Sequence, residues 1–176
     1  MASLDIFKGK LQGGGARANQ FRVTMNLPTI MLGSDNDPEK TSIMIKAAQL
    51  PGQTIGEIAI PFRGRNLYIA GDREFETWAT TIINDTDFHV RNLLEKWTGL
   101  INDLVNNTGT VNPGEYMSDL LVEQLDRADD TVLKSYKLRG CWPQNIGAID
   151  LSYETQNEIE QFEVTWRYQD FEIDPV

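Results

Sequence analysis

A chain of 176 residues fits a single domain, and at that length one core forms without metal or disulfide staples. Its 40% apolar and 24% charged residues are ordinary for a soluble globular protein, and four Trp, five Tyr and seven Phe supply large pieces of core. One cysteine (Cys141) excludes an internal disulfide framework, one histidine (His89) excludes every two-His metal motif, and a net charge of −10 argues against gripping nucleic-acid phosphates over a broad face.

Residues 1–18 read as a flexible arm preceding one domain, 19–176. Gly13, Gly14 and Gly15 carry no side chains to pack, although Leu4, Ile6, Phe7 and Leu11 are more apolar than a spacer needs. The N-terminus has no signal-peptide pattern, and no apolar run exceeds the four residues Leu67–Ala70, so neither secretion nor a membrane anchor is expected and folding in a cytoplasm is. Phe21, Val23, Met25 and Leu27 alternate with polar residues as a half-buried strand that Pro28 ends. Ile43 and Ile45 suggest a second strand, paired with the first as a hairpin whose long polar tip is 28–41.

Residues 50–73 hold short β-favouring pieces, Glu57–Ile60 and Asn66–Ala70, punctuated by Pro51, Gly52, Gly56, Pro61, Gly64 and Gly71. Such punctuation predicts an extended excursion from a sheet edge, since Pro61 is unsuited to a central strand. Phe75–Ile83 reads as a buried strand. Asn84-Asp85-Thr86-Asp87 then offers N-cap chemistry to a helix over about 87–104, with Val90, Leu93, Leu94, Trp97, Leu100, Ile101 and Leu104 at helical spacing and Gly99 as a possible stop. Further strands are expected over Leu120–Leu125, Thr131–Gly140 (broken by Cys141-Trp142-Pro143), Ala148–Tyr153 and Glu160–Tyr168. The expected fold is mainly β (α+β): a curled β-sandwich or half-barrel of about seven strands with one flanking helix. All four Trp (Trp78, Trp97, Trp142, Trp166) are expected in the core.

Charge is uneven. Residues 150–176 carry one basic group, Arg167, against eight acids. That segment is either a solubilising face or a surface that repels phosphate.

The sequence offers little catalytic chemistry. His89 would sit in the first turn of the helix, where the dipole disfavours its protonated form. Cys141 has no basic neighbour in sequence to lower its pKa. The acid pairs Glu74/Glu76, Asp129/Asp130 and Glu158/Glu160 lie at strand starts or turns, where carboxylates are commonly just solvated; they motivate only a remote hydrolase reading. P-loop, Rossmann and calcium-loop signatures are missing, and no cofactor is implied.

Four stretches carry a resemblance. They are Asn19-Gln20-Phe21-Arg22-Val23; Leu50-Pro51 with Arg65-Asn66-Leu67-Tyr68-Ile69-Ala70-Gly71-Asp72-Arg73, then Phe75 and Trp78; Leu138 through Gly147; and Asn157 through Thr165. In this order and spacing the chain resembles the tail tube proteins of contractile-tailed, T4-like bacteriophages. The likeness runs from about Asn19 to Trp166; the arm 1–18 and the long tip 28–41 depart from the pattern.

The resemblance implies a structural protein and no enzyme: hexameric rings stacked into a hollow tube, with sheets from six subunits joined in one lumen-lining barrel. It implies a place in the virion tail, assembled in the host cytoplasm. Implied partners are further copies of the chain, the sheath protein, the tape-measure protein, the baseplate hub or tube initiator and the tail terminator, with DNA passing through unbound. A tube initiator, or the tube of a phage-derived injection or secretion device, would share the fold. The arginines of the 50–73 excursion would meet C-terminal acids of a neighbour, which makes Arg63, Arg65, Asn66, Tyr68, Asp72, Arg73, Glu158 and Glu160 the candidate inter-subunit contacts.

Overall fold

A computed structural model describes residues 3–31, 33 and 37–175. In chain order these form α1 (Leu4–Lys10), β1 (Phe21–Met25), α2 (Pro38–Met44), β2 (Ile45–Ala48), β3 (Thr54–Phe62), β4 (Arg65–Glu74), β5 (Trp78–Ile83), α3 (His89–Ile101), α4 (Pro113–Tyr116), β6 (Ser118–Leu125), β7 (Val132–Ile146), β8 (Gln161–Arg167) and β9 (Asp170–Pro175). The chain is mainly β, as expected, and forms no closed barrel by itself. Seven strands share one sheet in the order β1-β6-β7-β8-β5-β2, with β9 beside β7; β3 and β4 form a separate ribbon.

The sheet is bent into two layers along its longest strand, β7. β8 and β9 follow one another along the same edge of β7: Arg167 lies opposite Trp142, and Asp170 opposite Arg139. The Gln169 N–H donates to the Arg139 carbonyl at 3.0 Å and keeps the pairing continuous across the bend. One layer is thus β1, β6, the first part of β7 and β9; the other is the last part of β7, β8, β5 and β2. Between them Val23, Met25, Leu120, Val122 and Leu138 pack in one core with Trp78, Ile82, Phe162, Val164 and Trp166 and the α3 residues Val90, Leu93, Leu94 and Trp97.

Three indoles are buried with their N–H groups satisfied: Trp78 on the Gln49 carbonyl (2.6 Å), Trp97 on the Tyr116 carbonyl (2.8 Å) and Trp166 on Thr80 Oγ1 (3.0 Å). A buried aromatic with its polar edge paired is a core fixture rather than a liability. Trp142, expected among them, is only half-buried.

Several expectations are corrected. β1 and β2 are not a hairpin: β1 pairs with β6 and β2 with β5, at opposite ends of the sheet. The residues read as the start of the second strand belong instead to α2, because Asp37 caps the Lys40 N–H at 3.0 Å and Pro38 occupies the first helical turn. Earlier in the expected tip, Thr29–Met31 form a short helical turn with Met31 buried, and Leu32 and 34–36 lie outside the described residues. Cys141-Trp142-Pro143 does not end β7, which continues to Ile146 through a bulge after Pro143. Ala148–Tyr153 is not a strand, whereas Asp170–Pro175 is. Gly99 lies within α3 and does not stop it. Within the expected arm, Leu4–Lys10 is helical and buries none of its residues.

α3 is fixed at its start and along one flank. Its first N–H, on His89, reaches Asp87 Oδ1 (3.0 Å) and Asp85 Oδ1 (3.3 Å), and Lys40 Nζ bridges the same two carboxylates at 2.6 Å each, tying α2 to the start of α3. Lys40 holds the Asp87 carboxyl down to about 2. On the flank of α3, Arg91 lies over the Phe162 ring (5.0 Å) and donates to the Gly147 carbonyl (2.8 Å).

Candidate assembly interface

The segment 50–73, expected as an excursion, is a two-stranded ribbon. β2 leads into it and β5 leads out, and β2 and β5 pair with one another at one end of the main sheet. The ribbon turns at Phe62-Arg63-Gly64-Arg65. Arg63 and Gly64 both have positive φ (46° and 81°), the requirement of a two-residue type I′ hairpin loop. Pro61 is tolerated because both strands of the ribbon are edges.

Register assigns the side chains to two faces. Ile58 opposes Ile69, Ile60 opposes Leu67 and Phe62 opposes Arg65, so five apolar side chains and one arginine share a face. Glu57, Ala59, Pro61, Asn66, Tyr68 and Ala70 share the other. Nearer the base, Gly71 and Asp72 together oppose Gly56 in a bulge, and a Cβ on Gly71 would lie 3.1 Å from the Gly56 backbone. Every described residue of the ribbon except Gly56 and Gly71 is exposed. A two-stranded hairpin is marginal alone in water, and an exposed apolar face of this size marks a contact surface.

The expected contact residues divide accordingly. Arg63 sits at the tip with its guanidinium 5.3 Å from the Phe62 ring centroid; Arg65 joins the apolar face; Asn66 and Tyr68 lie on the opposite face; Asp72 is in the bulge; Arg73 donates to Gln53 Oε1 at 2.6 Å near the base. None of the three arginines pairs with a carboxylate among the described residues.

Glu158 and Glu160 lie apart from the ribbon, on the loop 147–160 between β7 and β8. Glu160 is anchored there, accepting from Asn84 Nδ2 at 3.0 Å, while Glu158 is exposed. The same loop exposes Leu151, Tyr153 and Ile159 beside Asp150 and Glu154. Other C-terminal acids are already engaged: Arg139 Nη1 pairs with Glu172 (2.6 Å), and its Nε with Asp170 (2.5 Å). Sequence reasoning found the arginines by their contrast with an acidic chain. It missed the ribbon's apolar face, whose signal is the alternation Ile58, Ile60, Phe62 and Leu67, Ile69.

The residues weighed for catalysis assemble no site. Burial pushes the Cys141 thiol up to about 12, so the group is inert as a nucleophile at neutral pH. Asp129 is held below the usual carboxylate range by hydrogen bonds from Thr131. Among the described residues, no cluster of His, Cys, Asp and Glu is suited to a metal ion, and no helix is long and apolar enough to cross a membrane.

The family model described as phage tail tube protein matches residues 16–174. The chain belongs to the phage tail tube protein family.

It is 35% identical to the tail tube protein of Serratia phage KSP90, over 96% of this chain and 95% of the relative, and 31% identical to tail tube protein gp19 of Enterobacteria phage T4, over 92% and 93%. Its fold matches a chain of the anti-feeding prophage baseplate (TM-score 0.65, 14% identity, 92% of this chain and 96% of that one). It also matches a chain of the PVC extracellular contractile injection system in its extended sheath-tube complex (TM-score 0.59, 12% identity, all of both chains). The protein is therefore a structural component of a phage tail, and its place is the virion.

Proposed function

We propose that the chain is the repeating subunit of the tail tube, forming hexameric rings that stack into a hollow conduit within a contractile sheath. The observation that carries this reading is the β3–β4 ribbon, which is separate from the main sheet and whose apolar face is uncovered in the monomer. On a neighbouring ring it would find a complementary surface. Its tip carries Arg63 and Arg65 beside exposed aliphatic groups; the 147–160 loop carries Asp150, Glu154, Glu158 and Glu160 beside Leu151, Tyr153 and Ile159. Burial of the aliphatic groups would supply affinity, and the charges register and encounter rate.

In this role the partners are further copies of the chain, the sheath protein outside, the tape-measure protein and then DNA inside, the baseplate hub or initiator at one end and the terminator at the other. The chain performs no chemistry; it presents walls and contacts. Negative-stain electron microscopy of the concentrated protein, alone and with baseplates, tests the reading. Hollow rings or tubes are expected, and monomers under both conditions would refute it. Copy number in the particle then separates a tube subunit, present in many copies, from an initiator confined to one ring.

A further inference from the structure

The N-terminal helix α1 is left uncovered by its own chain. Leu4 and Phe7, with Leu11 at the C-cap, fall at i, i+3 and i+7 and line one side of it, and Lys8 and Lys10 flank that stripe. The three apolar residues are 67%, 59% and 45% exposed, and neither lysine joins an ion pair among the described residues. A helix of seven residues is too short to hold in water by itself. Its Ser3 cap, which accepts the Ile6 N–H at 3.4 Å, and the two lysines in its last turn offset only part of that cost.

A surface that fits this stripe lies elsewhere on the molecule. Where α3 ends, Ile101 and Leu104 form a groove of about 400 Å³ with Trp142 and Pro143, and Asp103 stands among them. Leu104 is 96% exposed. The rim is stiff. Asp103 Oδ1 accepts from the Val105 and Asn106 N–H groups (3.0 and 2.7 Å), the Asp103 N–H donates to the Thr108 carbonyl (2.7 Å), and Asn102 Nδ2 donates to Asn107 Oδ1 (2.9 Å). A Cβ on Gly109 would collide with the Ile101 carbonyl, so glycine is what lets the loop close against the helix end. A groove built in advance costs little to order on binding. It offers an apolar floor with a carboxylate at its side; α1 offers an apolar stripe with ammonium groups at its sides.

We propose that α1 of one copy docks in this groove of a second copy, with Leu4, Phe7 and Leu11 on Ile101, Leu104 and Trp142 and a lysine beside Asp103. The inference rests on the tube-subunit reading, which supplies the second copy, and names a contact apart from the ribbon. Reach places the groove in another chain. The arm is anchored to β6 from Arg17 onward: Gln124 Nε2 donates to the Arg17 carbonyl (2.8 Å), and the Leu125 N–H to the Gln20 carbonyl (3.0 Å). Residues 12–16 remain as the tether, which spans at most about 18 Å when extended. The groove lies past the opposite end of β6, where Ser118 faces Cys141, about 20 Å from Gln124 along the strand. Gly13, Gly14 and Gly15, all at positive φ (58°, 73° and 85°), let the tether redirect α1 without disturbing the anchor. A contact between unlike surfaces at opposite ends of a subunit is head-to-tail and repeats from copy to copy.

Mixed cysteine variants test the docking. Lys10→Cys and Gln144→Cys are made in separate full-length chains of different mass, assembled together on baseplates and treated with a short bismaleimide. Cys141 is fully buried and contributes no background. A cross-linked species holding one chain of each kind is expected, and none from either variant alone. Adding Phe7→Ser to the Lys10→Cys chain should cut its yield per assembled chain at least tenfold, with the melting point of the free protein unchanged because α1 buries nothing in the monomer. Asp103→Asn, which keeps the oxygen that accepts from the loop, should cut the yield severalfold. Tubes of normal appearance without the mixed species, or full yield from the Phe7→Ser chain, would overturn the docking and leave the subunit reading standing. Wild-type protein that never forms rings or tubes would overturn both.

Discussion

Ile60 faces Leu67 across the β3–β4 ribbon, and in the monomer they remain 44% and 59% exposed. Paired aliphatic residues in the middle of a ribbon normally mark its buried side. The ribbon therefore carries a core-like face with no core of its own chain beneath it.

Replacing Ile60 and Leu67 by Ser is expected to leave the monomer folded, because neither side chain belongs to the core. Surface changes of this kind shift stability by about 0.5 kcal/mol or less. Assembly should fail nonetheless. Thermal melting and electron microscopy of baseplate-seeded reactions check the two halves; a melting point lowered as far as that of a core variant would show that the ribbon packs on its own chain.

Reversing Arg65 and Arg73 to Glu should reduce the polymerised fraction at least tenfold, equivalent to about 1.4 kcal/mol. Glu158→Lys in the same chain should restore part of it if these charges meet across rings. Sedimentation of seeded tubes measures both. Normal tubes from the double arginine variant would remove the electrostatic half of the contact.

Trp97 and Trp166 pack edge to face with ring centroids 5.7 Å apart, both buried. Truncating either to Ala should cost roughly 3–5 kcal/mol and unfold much of the chain. Trp166→Phe keeps most of the volume but leaves Thr80 Oγ1 without its donor, so a smaller loss, about 1–2 kcal/mol, is expected in urea unfolding.

The Lys40–Asp85–Asp87 cluster predicts an acid response. Asp87 titrates near 2 when folded, below its unfolded value, so its contribution is present at neutral pH and is lost as pH falls below about 4 toward 2. The group is exposed and the effect accordingly modest. Hydrogen exchange at the start of α3 should accelerate across that window in the wild type, and the step should shrink in Lys40→Met. An unchanged step would assign the acid response to other carboxylates.

The strands that alternate cleanly, β1, β5 and β8, and the amphipathic α3 are legible in the sequence, because period and burial agree there. Pairing is not. β1 and β2 are neighbours in sequence and lie at opposite ends of the sheet, and nothing local announces that. α2 was legible as Asp37-Pro38-Glu39, an N-cap followed by Pro in the first turn; the alternation of Ile43 and Ile45 masks it. Pro143 reads as a terminator only if the strand is assumed to be central and regular, whereas among the described residues β7 pairs on one side only at that point and is bulged. β9 carries its own alternation, Phe171 and Ile173, hidden in an acid-rich terminus. Of the contact residues, the arginines stand out by charge. The apolar partners beside them look like ordinary strand core until the fold shows that no core lies under them.

The long hairpin of β7 with β8 and β9 also bears on mechanics. Because β7 runs through both layers and β8 is followed by β9 along its edge, the layers are stitched by covalent chain and a continuous hydrogen-bond ladder, not merely pressed together by side chains. Shear applied to one ply is thus handed to the other along the backbone. A tube built from such subunits would resist delamination of its wall under axial load, and its compliant elements would be the contacts between copies.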